Sequence, residues 1–354
     1  MSDKTNAPFL RNAWWQAGWS DELSEGLLAR TIMNEPIVFF RDAEGKASAV
    51  EDRCCHRGAP LSHGTVIDKG LQCRYHGLVF DGRGSCVDIP GQDSIPPMAN
   101  IKSYPIVERQ QFIWIWMGDP ARADPAKIPD WPFHDQPDKF PHRKAVMPIQ
   151  CNYMMMIDNL MDLTHLGYVH TKTIGGNPLS HVNAKMDIER TANGVKYIRW
   201  MLNVQPPPTY VKGGGFKGHV DRWQEFEYFL PGSVLQWSGA LELGMGAKEN
   251  RDQEGFHLRL FHGITPATET TSYYFWSAAN GYRQDDPAAT DELYAEVYPT
   301  FIEDVEIMEG QQKRINLDPD RPLVGIKADN ALVQARRALK AALEEEQQMS
   351  RAAE

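Results

Sequence analysis

From Ala29 to about Met117 the chain sets short β-branched and aromatic runs between glycines, prolines and aspartates. Thr31-Ile32-Met33, Ile37-Val38-Phe39-Phe40, Ala49-Val50-Glu51, Gly77-Leu78-Val79-Phe80 and Phe112-Ile113-Trp114-Ile115-Trp116 are such runs, punctuated by Asp81-Gly82 and Gly91. That spacing predicts an antiparallel β domain. Asp119 to Pro148 then carries seven prolines and few apolar runs, the pattern of a connector laid over a surface. Beyond it, Tyr153 to Val169 is apolar at helical intervals through Met156, Leu160, Leu163 and Leu166, which predicts a helix. Strands are predicted over 195–200, 223–230, 257–264 and 271–279, and helices over 291–317 and 331–348, the last amphipathic. The expected organisation is α+β, with a β domain over 1–120, a connector over 121–148 and a second domain over 149–354.

Composition narrows the function. At 354 residues the chain fits one large or two ordinary domains, and at this size roughly 75% of the unfolded surface can be buried. The formal charge of −10 argues against nonspecific nucleic-acid binding, which needs a basic surface. No run approaches the roughly 20 apolar residues of a membrane span. The start, MSDKTNAPFL, lacks the basic and apolar regions of a secretory signal, so a cytoplasmic location is expected. Five cysteines, Cys54, Cys55, Cys73, Cys86 and Cys151, are too few and unevenly placed for a secreted disulfide framework. They ask for a metal or redox role.

The segments DRCCHRGAPLSHG and LQCRYHGLVF place Cys54-x-His56 and Cys73-x2-His76 sixteen residues apart. Zinc sites of two Cys and two His usually pair like with like, whereas here each pair mixes sulfur with nitrogen. That fits a [2Fe–2S] cluster with two thiolates on one iron and two imidazoles on the other, easier to reduce than an all-Cys cluster because it carries less negative charge. Structural zinc and core packing are the alternatives. Cys55 is out of phase and expected to pack, as are Cys86 and Cys151; His63 is expected to be structural.

The predicted helix carries a second set, Asp162-x2-His165-x4-His170. Asp162 and His165 would share a helix face, and the helix would end or distort after Gly167 to admit His170. Two imidazoles with one distant carboxylate make the facial triad of a non-haem iron(II) oxygenase.

With both motifs and a late acidic helix in this order, the chain resembles the Rieske non-haem iron oxygenases from about Arg11 to about Glu345. Within the family it is most similar to the oxygenase components of toluenesulfonate methyl-monooxygenase and vanillate O-demethylase, through DRCCHRGAPL, IPGQDSIPP, IKSYPIVERQQFIWIWMGDPARADP, IDNLMDLTHLGYVH, DRWQ and PDRPLV. The resemblance implies an N-terminal Rieske domain and a catalytic domain with a curved antiparallel sheet covered by helices. It assigns the third iron ligand to Asp304, with Glu303 in reserve, and makes Asp162 a bridge between His165 and a cluster histidine, His76, of a neighbouring subunit. It also implies a homotrimer without a small subunit. No dinucleotide-binding fingerprint is present, so NADH would be oxidised by a separate flavin and iron–sulfur reductase.

The expected activity is a monooxygenase that hydroxylates a methyl or methoxy carbon of a small aromatic acid. The alternatives are a bulkier alicyclic or steroid-like substrate, or a noncatalytic electron-transfer Rieske protein, for which about 100 residues would suffice. Arg199, His219, Arg222 and His257 could hold an anionic ring substituent, although packing or surface roles are the plainer reading. Trp223 and Trp237 could line the pocket, and Gly213-Gly214-Gly215 reads as a flexible loop near its mouth.

Overall fold

The computed structural model describes residues 9–353. Residues 1–8, read above for a secretion signal, and Glu354 at the end of the second expected domain lie outside them.

The chain divides into two compact units. The first comprises Arg11–Ile128 with Thr265–Thr268. It holds three small antiparallel sheets: Trp14–Trp19, Phe112–Trp116 and Ile106–Arg109; Leu28–Ile32, Glu35–Arg41 and Ala47–Glu51; and Thr65–Ile67, Gly70–Gln72, Val79–Phe80 and Cys86–Asp88. The β domain read from the sequence is present, with one local difference. Met33 does not continue its strand but forms, with Asn34, a two-residue turn at φ 52° and 66°. A hairpin this tight needs positive φ at both central residues; Pro266 and Ala267 accept their N–H groups.

The second unit comprises Pro129–Ile264 and the chain from Glu269 onward. Its centre is a seven-stranded antiparallel sheet in the order His142–Ile149, Thr271–Asn280, Phe256–Thr268, Ser233–Glu242, Val220–Phe229, Gly194–Val204 and Lys185–Thr191. Six strands form a meander; His142–Ile149 alone joins out of sequence.

That strand corrects the surface-connector reading. The stretch is proline-rich, yet 142–149 pairs residue for residue with 272–279. Proline is tolerated there because His142–Ile149 is an edge strand, where Pro148 needs no outward N–H. Trp131 and His134 are buried, and His134 Nε2 lies 2.6 Å from Ser277 Oγ. The strands Lys185–Thr191 and Ser233–Glu242 were not expected. The first is a largely exposed edge; the second carries Gln236 and Ser238 at positions that turn out to face a cavity.

The helix expected over 153–169 is also interrupted. Asn152 caps Tyr153–Met161, but Asp162 is extended at φ −131° and ψ 103°. A short 3-10 turn, Leu163–His165, and one helical turn, Leu166–Val169, follow. Asp162 and His165 therefore do not share a helix face. The physical reason is the Asp162 carboxylate, which accepts hydrogen bonds from the Thr164 N–H and Oγ1, each at 2.9 Å, an arrangement that competes with helix continuation. The late helices run over Pro287–Leu317 and Asn330–Ala353. Among the described residues, no helix is long and apolar enough to cross a membrane.

Asn152 anchors the start of this motif: its Oδ1 accepts from Met154, its Nδ2 donates to the Glu269 carbonyl, and its own N–H donates to Gln312 Oε1. Asn152→Ala is expected to cost about 1–3 kcal/mol by removing both a cap and a buried donor. Asn152→Ser, which keeps a cap oxygen without burying a charge, should cost less. Urea-unfolding midpoints measure both, and equal midpoints for wild type and Asn152→Ala would contradict this role.

Candidate metal centres

The first centre lies on two loops of the first unit. Each loop opens with a buried cysteine whose carbonyl accepts the N–H of a glycine four residues on, Gly58 for Cys54 and Gly77 for Cys73. Each cysteine N–H in turn donates to the carbonyl five residues on, of Ala59 and Leu78 respectively. Gly58 and Gly77 have φ of 70° and 78°, a region where a Cβ is strained. The two loops are thus the same turn used twice. Cys54 and Cys73 pack among Val38, Phe40, Leu71 and Phe80, and both are free thiols. Burial, opposed in part by a backbone hydrogen bond and reinforced by the neighbouring Cys73, pushes the Cys54 thiol up to about 11. His56 and His76 are exposed, their ring centroids 4.5 Å apart. Two neighbouring thiols inside and two neighbouring imidazoles outside fit a cluster whose irons differ in ligand type. Cys86 and Cys151 are buried as expected, but Cys55 is exposed rather than packed.

The second centre is built where the interrupted helix meets the long helix Pro287–Leu317. Ligand atoms of His165, His170 and Asp304 lie within 4.8 Å of one another. His165 Nδ1 donates to the Asp162 carbonyl at 2.8 Å, and His170 Nδ1 donates to Glu303 Oε2 at 2.7 Å. Both rings therefore turn Nε2 toward Asp304 Oδ1, at 3.4 and 3.1 Å. Separations of about 3 Å are what two cis donors about 2.1 Å from a common metal produce. Asn159 Nδ2 donates to the same Asp304 oxygen at 3.1 Å. Glu303, held in reserve as a ligand, instead orients His170.

Charges follow this geometry. Burial pushes His165 below the ordinary histidine value, against the pull of Asp304. Burial also acts on His170, but hydrogen bonds and charge from Asp304 and Glu303 outweigh it and leave His170 raised. The Asp162 carboxylate does not contact His165 in this chain; its backbone carbonyl does.

A cavity of about 40 Å³ adjoins the triad. Leu160, Leu163, Ile174, Tyr210, Phe226, Leu258, Leu260, Val297 and Phe301 supply apolar walls, and Gln224, Gln236, Ser238 and His262 a polar one. Strand periodicity explains the choice. Arg222, Gln224 and Phe226 project to one face and pair across the sheet with Ala240, Ser238 and Gln236, while Trp223 and Glu225 take the other face. Tyr274 and His262 Nδ1 are 2.6 Å apart, His262 Nε2 and Gln236 Oε1 2.8 Å, and Gln236 Nε2 donates to Ser238 Oγ at 2.8 Å. Since Gln236 Oε1 only accepts, His262 carries its proton on Nε2. Burial drives His262 down to about 3, so it is neutral at physiological pH.

Of the residues considered for substrate contact, Trp223 packs with Trp237, Leu241 and Ala247 on the far face. His257 Nε2 meets the Gln253 carbonyl there, and His219 is exposed beside Asn203. Arg199 and Arg222 are buried on the cavity-facing side. Gly213–Gly215 is no flexible loop: it ends the helix Pro208–Gly214, with Gly215 left-handed as its cap.

Sequence reasoning passed over Asn159, Gln224, Gln236 and His262. The signal for Asp304 over Glu303 was available: Leu293, Val297, Phe301, Asp304 and Met308 form one buried stripe at helical spacing, and Glu303 is out of phase with it.

The chain matches two family models, the Rieske [2Fe–2S] domain over residues 13–105 and the vanillate O-demethylase oxygenase C-terminal domain over residues 149–345. It is 41% identical to the toluene-4-sulfonate monooxygenase system iron-sulfur subunit of Comamonas testosteroni, covering 93% of this chain and 95% of that one. It is 37% identical to a vanillate O-demethylase oxygenase subunit of a Pseudomonas species, covering 98% of each. Among solved structures, dicamba monooxygenase bound to 3,6-dichlorosalicylic acid superposes with a TM-score of 0.88 at 32% identity, over 96% of this chain and 99% of that one.

Only a neutral imidazole ligates a metal. Because His170 is raised, ferrous-ion uptake by metal-free protein should weaken as pH falls through a value above the ordinary histidine value of about 6.5. Glu303→Gln removes one raising interaction, so the midpoint should move to lower pH, while affinity near pH 8 drops by about 10–100-fold through loss of ring orientation. Equilibrium iron-binding titrations across this range test both; a pH profile unaltered by Glu303→Gln would contradict the assignment.

Proposed function

Because the chain belongs to the Rieske non-haem iron oxygenases of the vanillate O-demethylase type, we propose that it is the terminal oxygenase component of a multicomponent monooxygenase. It uses dioxygen and electrons from a separate flavin and iron–sulfur reductase to hydroxylate a methyl or methoxy carbon of a small aromatic acid. The carrying observation is a mostly apolar cavity whose polar corner is His165, His170 and Asp304. The relatives are named for single-ring aromatic acids, toluene-4-sulfonate, vanillate and dicamba, which favours such a ring over an alicyclic or steroid-like substrate. The second unit and its triad argue against a simple electron carrier.

In this reading Cys54, His56, Cys73 and His76 hold the cluster, and His165, His170 and Asp304 hold ferrous iron. When bound, the cluster supplies single-electron transfer and the ferrous ion supplies dioxygen activation. The chain does the rest. Glu303 and the Asp162 carbonyl fix the two imidazoles, Asn159 fixes the carboxylate, and the apolar walls exclude water. Gln224, Gln236, Ser238 and neutral His262 orient the ring without adding charge. One dioxygen, two electrons and two protons convert a methoxy group to a hemiacetal and water; the hemiacetal then collapses to a phenol and formaldehyde. A ring methyl stops at the alcohol.

The assembly is proposed as a homotrimer in the cytoplasm, a compartment that suits five free cysteines. The cluster of one subunit would serve the iron of its neighbour, with Asp162 between His165 and His76. The Asp162 carbonyl already anchors His165; its carboxylate would exchange Thr164 for the neighbouring imidazole.

Turnover of 4-methoxybenzoate, vanillate and toluene-4-sulfonate with NADH and a compatible reductase tests the reaction. Oxygen uptake should match formaldehyde or alcohol formed, and uptake without oxygenated product would overturn the reading. Cys73→Ser should abolish the cluster's reduced-state EPR signal. His165→Ala and Asp304→Ala should lose mononuclear iron and product while keeping that signal. Coexpressed Cys73→Ser and His165→Ala chains, shown by tagged pull-down to assemble together, should recover partial turnover. Inert mixed trimers together with a fully active Asp162→Asn enzyme would rule out transfer between subunits.

A further inference from the structure

Two arginines are buried on the cavity-facing side of the catalytic sheet, Arg199 and Arg222, and among the described residues neither forms an ion pair with a carboxylate. Arg199 is satisfied by neutral acceptors: Nη1 donates to Gln224 Oε1 at 3.2 Å and Nη2 to the His181 carbonyl at 2.6 Å. Arg222, only 1% exposed, is not. Its Nη2 reaches the Ile174 carbonyl at 3.4 Å, a weak contact. Its Nε is buried without a hydrogen-bond partner. The guanidinium carbon lies 4.5 Å from the centre of the Tyr210 ring.

The two under-used donors share one edge of the guanidinium, the Nε–Nη2 edge, whose parallel N–H groups match the two oxygens of a carboxylate or sulfonate. Ile174 and Tyr210, which touch this group, are also walls of the cavity beside the triad. Arg222 further shares its sheet face with the cavity residues Gln224 and Phe226. A buried cation without a counter-charge is costly to fold around. Its retention beside a cavity is explained by an anion that arrives with the ligand.

We propose that Arg222 is the receptor for the anionic group of the substrate. A carboxylate or sulfonate on a small aromatic ring takes the Nε–Nη2 edge and replaces the long Ile174 contact. The ring then lies against Tyr210 and Ile174, with the carbon to be oxidised directed to His165, His170 and Asp304. The other cationic groups near the sheet are engaged elsewhere: Arg259 stacks on Trp237 at 3.7 Å, and Arg251 pairs with Glu225. This inference deepens the oxygenase reading and rests on it for the reaction, whereas the anion site rests on Arg222 itself.

The test is equilibrium binding to the iron-loaded enzyme without reductase, so that nothing turns over. The probes are toluene-4-sulfonate, 4-methoxybenzoate and the neutral 4-methylanisole. Wild type should bind both anions more tightly than the neutral ring. Arg222→Gln should weaken anion binding by about tenfold or more while leaving the neutral probe within about twofold. Arg222→Lys should fall between, because an ammonium carries charge but cannot fork. Toluene-4-sulfonate should also raise the unfolding temperature of wild type and not of Arg222→Gln, at equal iron content and cluster absorbance. If Arg222→Gln does not fold, Arg222→Lys alone carries the test, with an expected loss of at least about threefold for anions only.

Unchanged anion affinity in a folded variant overturns the proposal, as does wild type that binds 4-methylanisole as tightly as the anions. If the anions bind through Arg222 but none is oxygenated when reductase is added, the reaction reading fails and the site stands. If oxygenation proceeds while binding ignores Arg222, the site fails and the reaction stands.

Discussion

A carboxylate removed from water has to be met by donors or by positive charge, and Asp304 is 5% exposed. Asn159 supplies one donor to it. The two imidazoles nearby have their Nδ1 protons committed to the Asp162 carbonyl and to Glu303. In their neutral forms they turn lone pairs, not protons, toward the anionic oxygen. Three electron-rich atoms are thereby aimed at one point, an arrangement that repels itself until a proton or a metal cation sits among them. Much of the second unit is arranged to hold that convergence. The Asp162 carbonyl fixes His165, Glu303 fixes His170, and Asn159 with the buried stripe of the helix Pro287–Leu317 fixes Asp304.

The large sheet does a different task, sorting side chains by parity. Along Val220–Phe229 and Ser233–Glu242 even-numbered positions such as Gln224, Phe226, Gln236 and Ser238 reach the cavity. Odd-numbered ones such as Trp223 and Trp237 build a separate aromatic cluster behind it. A cavity wall made this way can be polar without being flexible, because each polar group is held by a neighbour. Tyr274, His262, Gln236 and Ser238 form one such chain.

Those two devices also explain what could be read without coordinates. The Cys54, His56, Cys73 and His76 spacing is local, since each pair sits within a single turn, and so it was visible in sequence. The short β runs and both late helices were visible for the same reason. Asp162 misled because its neighbours look helical, whereas a side-chain contact only two residues away decides its backbone. The edge strand His142–Ile149 was hidden by prolines that an edge tolerates. Cavity residues were hidden more deeply. They depend on register between strands dozens of residues apart, and no single strand records which of its faces will meet the triad.

The same edge strand has a consequence for how the protein behaves when crowded. A seven-stranded open sheet ends in two rows of backbone donors and acceptors, which invite a further strand from another molecule. Here one end is His142–Ile149, where Pro148 offers no N–H. The other is Lys185–Thr191, largely exposed and carrying Lys185, Asp187, Glu189 and Arg190. Extension of the sheet is interrupted at one margin by a missing hydrogen-bond donor and opposed at the other by charge, so concentrated chains are steered away from edge-to-edge aggregation.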